Sequence, residues 1–276
     1  MTRVAVVGHV EWVEFAVVDH LPHAGEIVHA SESFAAAAGG GAVAAVQLVK
    51  LAEVARFFTA LGEDADGRAS AVQLSATGLT VETAWRAETR RVFTHLSGDH
   101  ERTITVLGER LVPHGADDLP WDDLADCDAV YFAGGDAEAL RHARRARWLV
   151  ATPRALDVLS TAGVAVDVLV GSAVDAGEAV PPGLLQPEPR FIVRTRSAQG
   201  GEWTASEGRT GKWVAAELPG TPVDAYGCGD AFAAGLTYGL AATDDLDKAL
   251  HLAARCGAHA LCGRGPYEGQ LRLSAE

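Results

Sequence analysis

The segment Val223-Asp224-Ala225-Tyr226-Gly227-Cys228-Gly229-Asp230-Ala231-Phe232 carries the strongest chemical signal in the sequence. Gly227, Cys228 and Gly229 have small or absent side chains, an acid follows at Asp230, and an apolar helical run begins there. Glycines let backbone N–H groups turn toward a ligand. A helix N-terminus adds unpaired donors and a partial positive charge. Together they make an anion site. An aspartate beside a bound phosphate stands where a general base is needed. The same residue types also suit a plain turn and N-cap, so the segment alone leaves both readings open.

Competing phosphate patterns fail on spacing. A dinucleotide fingerprint on Gly227 and Gly229 needs a third glycine where Phe232 stands. Gly208-Arg209-Thr210-Gly211-Lys212-Trp213 has the wrong glycine spacing for a P-loop, and Trp213 replaces its metal-binding hydroxyl. The early strand Val4–Val7 ends in a lone Gly8, without the glycine series of a nicotinamide-dependent oxidoreductase. His20, His23 and His29 read as surface histidines before metal ligands. Arg141, Arg144, Arg145 and Arg147 read as a solvated helix face. The four cysteines show no paired ligand spacing, which suits a reduced, cytoplasmic protein.

These residues need a large frame to hold them. The chain has 276 residues, 48% apolar and 22% charged, enough for a substantial core. Its net charge of −14 repels nucleic acid and anionic lipid by default. No stretch resembles a signal peptide or a membrane span. Short apolar strands at Val4–Val7, Phe57–Leu61, Asp128–Gly135, Trp148–Ala151, Val166–Val170 and Phe191–Thr195 alternate with helix-like stretches. Those stretches are 42–52, 65–75, 137–146, 154–162, 230–240 and 246–262. Such alternation predicts an α/β body with a mostly parallel sheet covered on both faces. Two hairpin-like regions break the alternation. Val10–Val18 is expected to return through Ile27–Phe34, and Thr89–His95 through Thr103–Leu107 around a turn at Ser97–His100. They predict a small β-flap, approximately 10–36 and 84–108, on a single domain spanning 1–276.

The run from Asp224 to Gly235 resembles the C-terminal signature of the ribokinase-like (PfkB) carbohydrate kinases, roughly D-T-x-G-A-G-D-x-F-x-x-G. Other elements agree in order: Leu21-Pro22 with Gly25-Glu26, the pair Gly39-Gly40, Gly62-Glu63-Asp64 with Gly67, and Thr195 to Gly200. The resemblance implies a three-layer α/β sandwich with a lid, and an ATP-dependent transfer of a phosphoryl group to a sugar-like hydroxyl. Asp230 would be the base, with the amides of Gly227, Cys228 and Gly229 as the anion hole. Cys228 would fill the space of the family's alanine. Thr195, Ser197, Gly200, Ser172 and Gly257 would border the nucleotide, with Ser197 in place of a glycine. Mg2+ would be met by Asp175, the acid left where the family has Asn-x-x-Glu. A monovalent cation bound by backbone carbonyls also belongs to some members.

The acceptor side departs from the pattern. Val13 stands where the family has an aspartate, and Ala42-Val43-Ala44 lacks its asparagine. Positions 9, 11 and 13 share one strand face, which makes Glu11 the best substitute carboxylate and turns Glu14 away. Glu11 with Gly39, Gly40 and Gly41 is the expected substrate contact. The pocket is expected to be less polar than a typical sugar site, which admits a nucleoside or modified sugar. A catalytically weak or inactive metabolite-binding protein is the alternative. Exposed lid edges predict a homodimer through the lid.

Overall fold

The computed structural model describes residues 2–52, 54–97 and 102–273. In chain order the elements begin with β1 (Val4–Val7), β2 (Glu11–Val17), β3 (Glu32–Ala38), α1 (Gly40–Ala52), β4 (Ala55–Gly62) and α2 (Ala65–Ser75). Then come β5 (Thr80–Arg86), β6 (Arg91–Leu96), β7 (Arg102–Leu107), β8 (Ala129–Phe132), α3 (Ala137–Ala143), β9 (Trp148–Ala151) and α4 (Leu156–Thr161). The last are β10 (Val168–Ser172), β11 (Phe191–Thr195), β12 (Gly201–Ala205), β13 (Thr210–Trp213), α5 (Cys228–Thr243) and α6 (Leu246–Leu261).

Among the described residues the central sheet has nine strands, in the order β13-β12-β11-β10-β9-β8-β1-β4-β5. It is parallel from β11 to β5, and β12 and β13 add an antiparallel edge. Side-chain alternation sorts its strands between two cores. Val4, Val6, Phe57 and Tyr131 face the layer that includes α1, α5 and α6. Ala5, Val7, Phe58, Val130 and Phe132 face the layer of α3 and α4. This is the three-layer sandwich, and it explains why the central strands read as unbroken apolar runs. No helix among the described residues is long and apolar enough to cross a membrane.

The lid is a separate sheet, β3-β2-β6-β7. Asp64 ties its base to the body: it caps α2 through the amide of Gly67 and accepts from both N–H and hydroxyl of Thr89. The return strand of the first hairpin lies later than expected. Glu11 pairs with Ala38 and Val17 with Glu32, so Ile27 sits in the connecting loop and is 84% exposed. The alanines of 35–38 carry little strand signal, whereas Ile27 and Val28 mimic one.

Three strands escape the sequence reading. β5 borders β4 as a main-sheet strand, so residues 84–86 belong to the body and not to the lid. β13, at the sheet edge, and its neighbour β12 are short and contain glycine and charge. The pattern Gly208–Trp213 is the approach to β13 and the strand itself. Of the turn expected at Ser97–His100, residues 98–100 lie outside the described residues.

Candidate active site

Strand order reverses at the centre of the sheet. The chain builds outward from β1 through β4 to one side and from β8 to the other, so a crevice opens beyond the carboxyl ends of β1 and β8. At that point the Cβ position of Gly8 lies 3.0 Å from Cβ of Ala133 and 3.1 Å from Cα of Gly41. The end of β1, the end of β8 and the start of α1 therefore meet. The sequence reading did not use this topology, and the crevice collects most of the residues it singled out.

α5 points its N-terminus into the same crevice. Gly227 is its N-cap, with φ +77°, a conformation that glycine adopts at little cost. The Cys228 amide makes a long 3.5 Å contact to the Ala225 carbonyl. Gly229 is exposed, and its N–H has no acceptor among the described residues. The loop leading in is fixed by Asp224, whose carboxylate accepts from the amides of Tyr226 (2.7 Å) and Gly265 (2.6 Å). The Tyr226 hydroxyl accepts from the Gly39 amide at 3.3 Å, which joins this loop to the start of α1.

Asp230 lies in the first turn of α5. Surrounding protein pushes its carboxyl up to about 6, while the Arg102 guanidinium opposes the rise and Glu178 adds to it. Such a group is mostly ionised at neutral pH and still basic enough to accept a proton. Gly40 faces it: a Cβ on Gly40 would stand 2.8 Å from Oδ1 of Asp230. Cys228 fills space beside it, and burial pushes its thiol up to about 12, so it is no thiolate nucleophile at neutral pH.

Glu11 does reach the crevice. A Cβ on Gly39 would meet its Cγ at 3.1 Å and the ring of His9 at 3.2 Å. Burial raises its carboxyl, and Arg90 and Arg110 oppose the rise. Arg90 Nε stands 3.2 Å from Glu11 Oε1, and His9 Nε2 stands 4.0 Å from the same oxygen. His9 is held neutral, lowered to about 3 by burial and then by Arg110 and Arg90. Glu14 instead pairs with Arg91 on the open side of the lid. Val13 is fully buried in the lid core with Phe15 and Tyr226. The expectation of a weakly polar pocket is corrected here. His9 comes from the same chain segment as Glu11, and Arg90 and Arg110 arrive from distant loops.

On the other side of Asp230, Ser172 and Thr195 are register neighbours at the carboxyl ends of β10 and β11. Ser172 Oγ accepts from the amides of Val174 and Asp175, both at 3.2 Å. Ser197 has φ +50°, so it occupies the left-handed region that favours glycine. Gly200 closes that turn with φ +77°, and a Cβ there would strike the Trp213 carbonyl oxygen. Gly257 on α6 faces Cys228 and Phe232 at the start of α5.

Asp175 does not have a free oxygen. Its Oδ2 pairs with Arg154 and its Oδ1 accepts from Gly177. Glu178 is also engaged, with Arg154 at 2.9 Å and the Ser172 amide at 2.7 Å. As arranged, this acid pair fits a guanidinium and not a directly bound Mg2+. Arg154 follows Pro153 just beyond the end of β9, and with Arg102 it brings positive charge to Asp230.

His9, Arg90, Arg102, Arg110, Arg154 and Glu178 were missed in the sequence. Only His9, on the face shared with Glu11, and Arg154, beyond a parallel strand's carboxyl end, carried a usable signal. His20 and His23 both hydrogen-bond to Glu26 on the exposed lid loop, and their ligand-type atoms lie within 4.8 Å of one another.

The description "pfkB family carbohydrate kinase" belongs to the family whose model matches residues 1–271. No curated protein matches the chain. Among solved structures, a ribokinase from Thermotoga maritima aligns with TM-score 0.78 and 16% identity, covering 99% of this chain and 97% of its own. An Arabidopsis thaliana ribokinase complexed with ribose and ATP aligns with TM-score 0.73 and 17% identity, covering 96% and 94%. An adenosine kinase from Sinorhizobium meliloti aligns with TM-score 0.76 and 18% identity, covering 96% and 95%.

Proposed function

The chain belongs to the pfkB family of carbohydrate kinases, phosphotransferases with an alcohol group as acceptor, and we propose that it transfers the γ-phosphoryl group of ATP to a hydroxyl of a small sugar-like substrate, with Asp230 as general base. One observation carries this reading. Asp230 sits in the first turn of α5, its carboxyl held near neutrality, facing Gly40 across the crevice.

The acceptor hydroxyl gives its proton to Asp230 as its oxygen bonds to the γ-phosphorus. The bond from that phosphorus to the β,γ-bridging oxygen breaks, and ADP leaves with the electron pair. The amides of Gly227, Cys228 and Gly229 hold the charge on the transferring oxygens. Positioning and charge stabilisation dominate this chemistry. Thr195, Ser197, Gly200, Ser172 and Gly257 border the nucleotide in this reading. Glu11 and the backbone of Gly39–Gly41 hold the acceptor, and the lid excludes water from the transfer.

A second copy of the chain pairs through the lid. All six residues of β7 are exposed at the sheet edge, Ile104 and Val106 among them. An uncovered apolar edge of this kind favours strand addition. The four free cysteines suit a reducing, cytoplasmic location.

The test is ATP consumption with a panel of pentoses, hexoses and nucleosides, wild type against Asp230→Asn. Transfer by the wild type and not by the variant supports the proposal. Transfer at equal rates by both removes Asp230 from the mechanism. Tight metabolite binding with no turnover on any acceptor favours an inactive binder.

A further inference from the structure

We propose that Arg90 and Arg110 form an anion subsite in the acceptor pocket, so that the substrate is a sugar or polyol carrying a carboxylate or phosphate. This deepens the kinase reading and rests on it for the identity of the acceptor end.

The charge balance at this end of the crevice is uneven. Arg90 is 14% exposed at its side chain and among the described residues meets one acid, Glu11. The 3.2 Å approach to Glu11 is poorly aligned, and the buried Nε–H finds no hydrogen-bond acceptor. Arg110 has no carboxylate within 4.0 Å among the described residues. Its guanidinium donates to the Arg154 backbone carbonyl at 3.3 Å. Of the two guanidiniums only Arg90 meets a carboxylate, and burial disfavours the charged form of that carboxylate. His9 adds no negative charge, since it stays neutral, and its buried Nδ1 lacks a partner.

Like charges repel, and Arg90 is among the groups that weaken the proton affinity of Arg110. An oxyanion between them removes the repulsion and supplies acceptors for planar N–H donors. The protein as a whole, at −14, repels anions. Affinity for one must therefore come from a local cluster such as this.

The subsite also stands at a useful remove from the base. The Cβ position of Gly40 lies 2.8 Å from Oδ1 of Asp230 and 3.7 Å from the His9 ring. His9 leads to Glu11, and Glu11 to Arg90. A substrate with its anionic group at Arg90 and Arg110 directs its other end toward Asp230. His9 and Glu11 then meet the hydroxyls between. Carboxylate and phosphate share the chemistry that two arginines recognise, and paired probes separate them.

The experiment is calorimetric binding to the full chain of D-gluconate and D-glucose 6-phosphate against D-glucose, and of D-ribose 5-phosphate against D-ribose. At least one anionic member should bind about tenfold or more tightly than its neutral partner, and the preference should fall as salt screens it. Arg110→Gln should abolish that preference, and Arg110→Lys should restore part of it, with unchanged melting temperatures. Equal binding of neutral partners, no binding by any anionic probe, or a preference that survives Arg110→Gln overturns the proposal. So does a rise in KM for ATP alone, which would assign Arg110 to the nucleotide. Turnover on the same probes separates the two claims. Anion preference without phosphoryl transfer sinks the kinase reading and leaves the subsite. Transfer to neutral sugars without preference does the reverse.

Discussion

A Cβ on Gly40 would stand 2.8 Å from Oδ1 of Asp230. The first residue of α1 therefore sets the space in which the carboxylate of α5 can move. Alanine at position 40 would force that carboxylate aside. A shift of this size next to a reacting atom costs far more in rate than in stability. We expect Gly40→Ala to lower kcat/KM at least about tenfold with a nearly unchanged melting temperature. A fully active Gly40→Ala variant would show that Asp230 does not work from this position.

Replacement of the proposed base should be more severe. Asp230→Asn keeps the shape and removes the proton acceptor, and general-base losses run to about 10²–10⁴ in rate. ATP binding, read by calorimetry, should persist. Loss of ATP binding together with activity would point to a folding defect.

The pH dependence follows from the raised carboxyl. As the proposed base Asp230 works ionised, and burial pushes its carboxyl up to about 6. The profile of kcat/KM should therefore climb through this region and level off above it. Arg102 favours the ionised form, so Arg102→Gln should raise the carboxyl further and move the limb to higher pH. A limb that moves to lower pH in this variant contradicts the electrostatic account.

Asp224 makes a structural prediction. It is 3% exposed and holds the amides of Tyr226 and Gly265. Asp224→Ala leaves both donors buried without their acceptor, at a cost of about 2 kcal/mol or more. Urea denaturation should show a lower midpoint with a similar slope. Activity should fall as well, because the loop before Gly227 loses its anchor.

Lid pairing is read from mass. Light scattering should give twice the mass of the chain, and Val106→Lys on the exposed face of β7 should shift it toward monomer. A monomeric wild type at all concentrations would refute pairing through this edge.

The sequence carried the body of the fold because buried parallel strands are apolar throughout, as at Val4–Val7 and Phe57–Leu61. It lost β5, β12 and β13 because strands at or next to a sheet edge mix polar, charged and small residues. Asp230 and its glycines could be placed at a helix start, because the turn into α5 needs a glycine, Gly227, and an apolar run follows. Arg90, Arg102 and Arg110 could not be found, since each comes from a segment with no such signal and only folding gathers them, while Arg154 offered only its place beyond the carboxyl end of β9. At Asp175 motif position suggested a metal acid, and in the structure that carboxylate pairs with Arg154.

Tyr226 has a mechanical consequence. Its ring packs edge-on against Phe15 of β2, with centroids 4.9 Å apart, while its hydroxyl holds the Gly39 amide. Any displacement of β2 is thereby passed on to the loop that presents Gly227–Gly229. Idle hydrolysis of nucleotide should then stay low until an acceptor shuts the flap. Trimming this contact with Phe15→Ala should release measurable ATP breakdown in the absence of any acceptor.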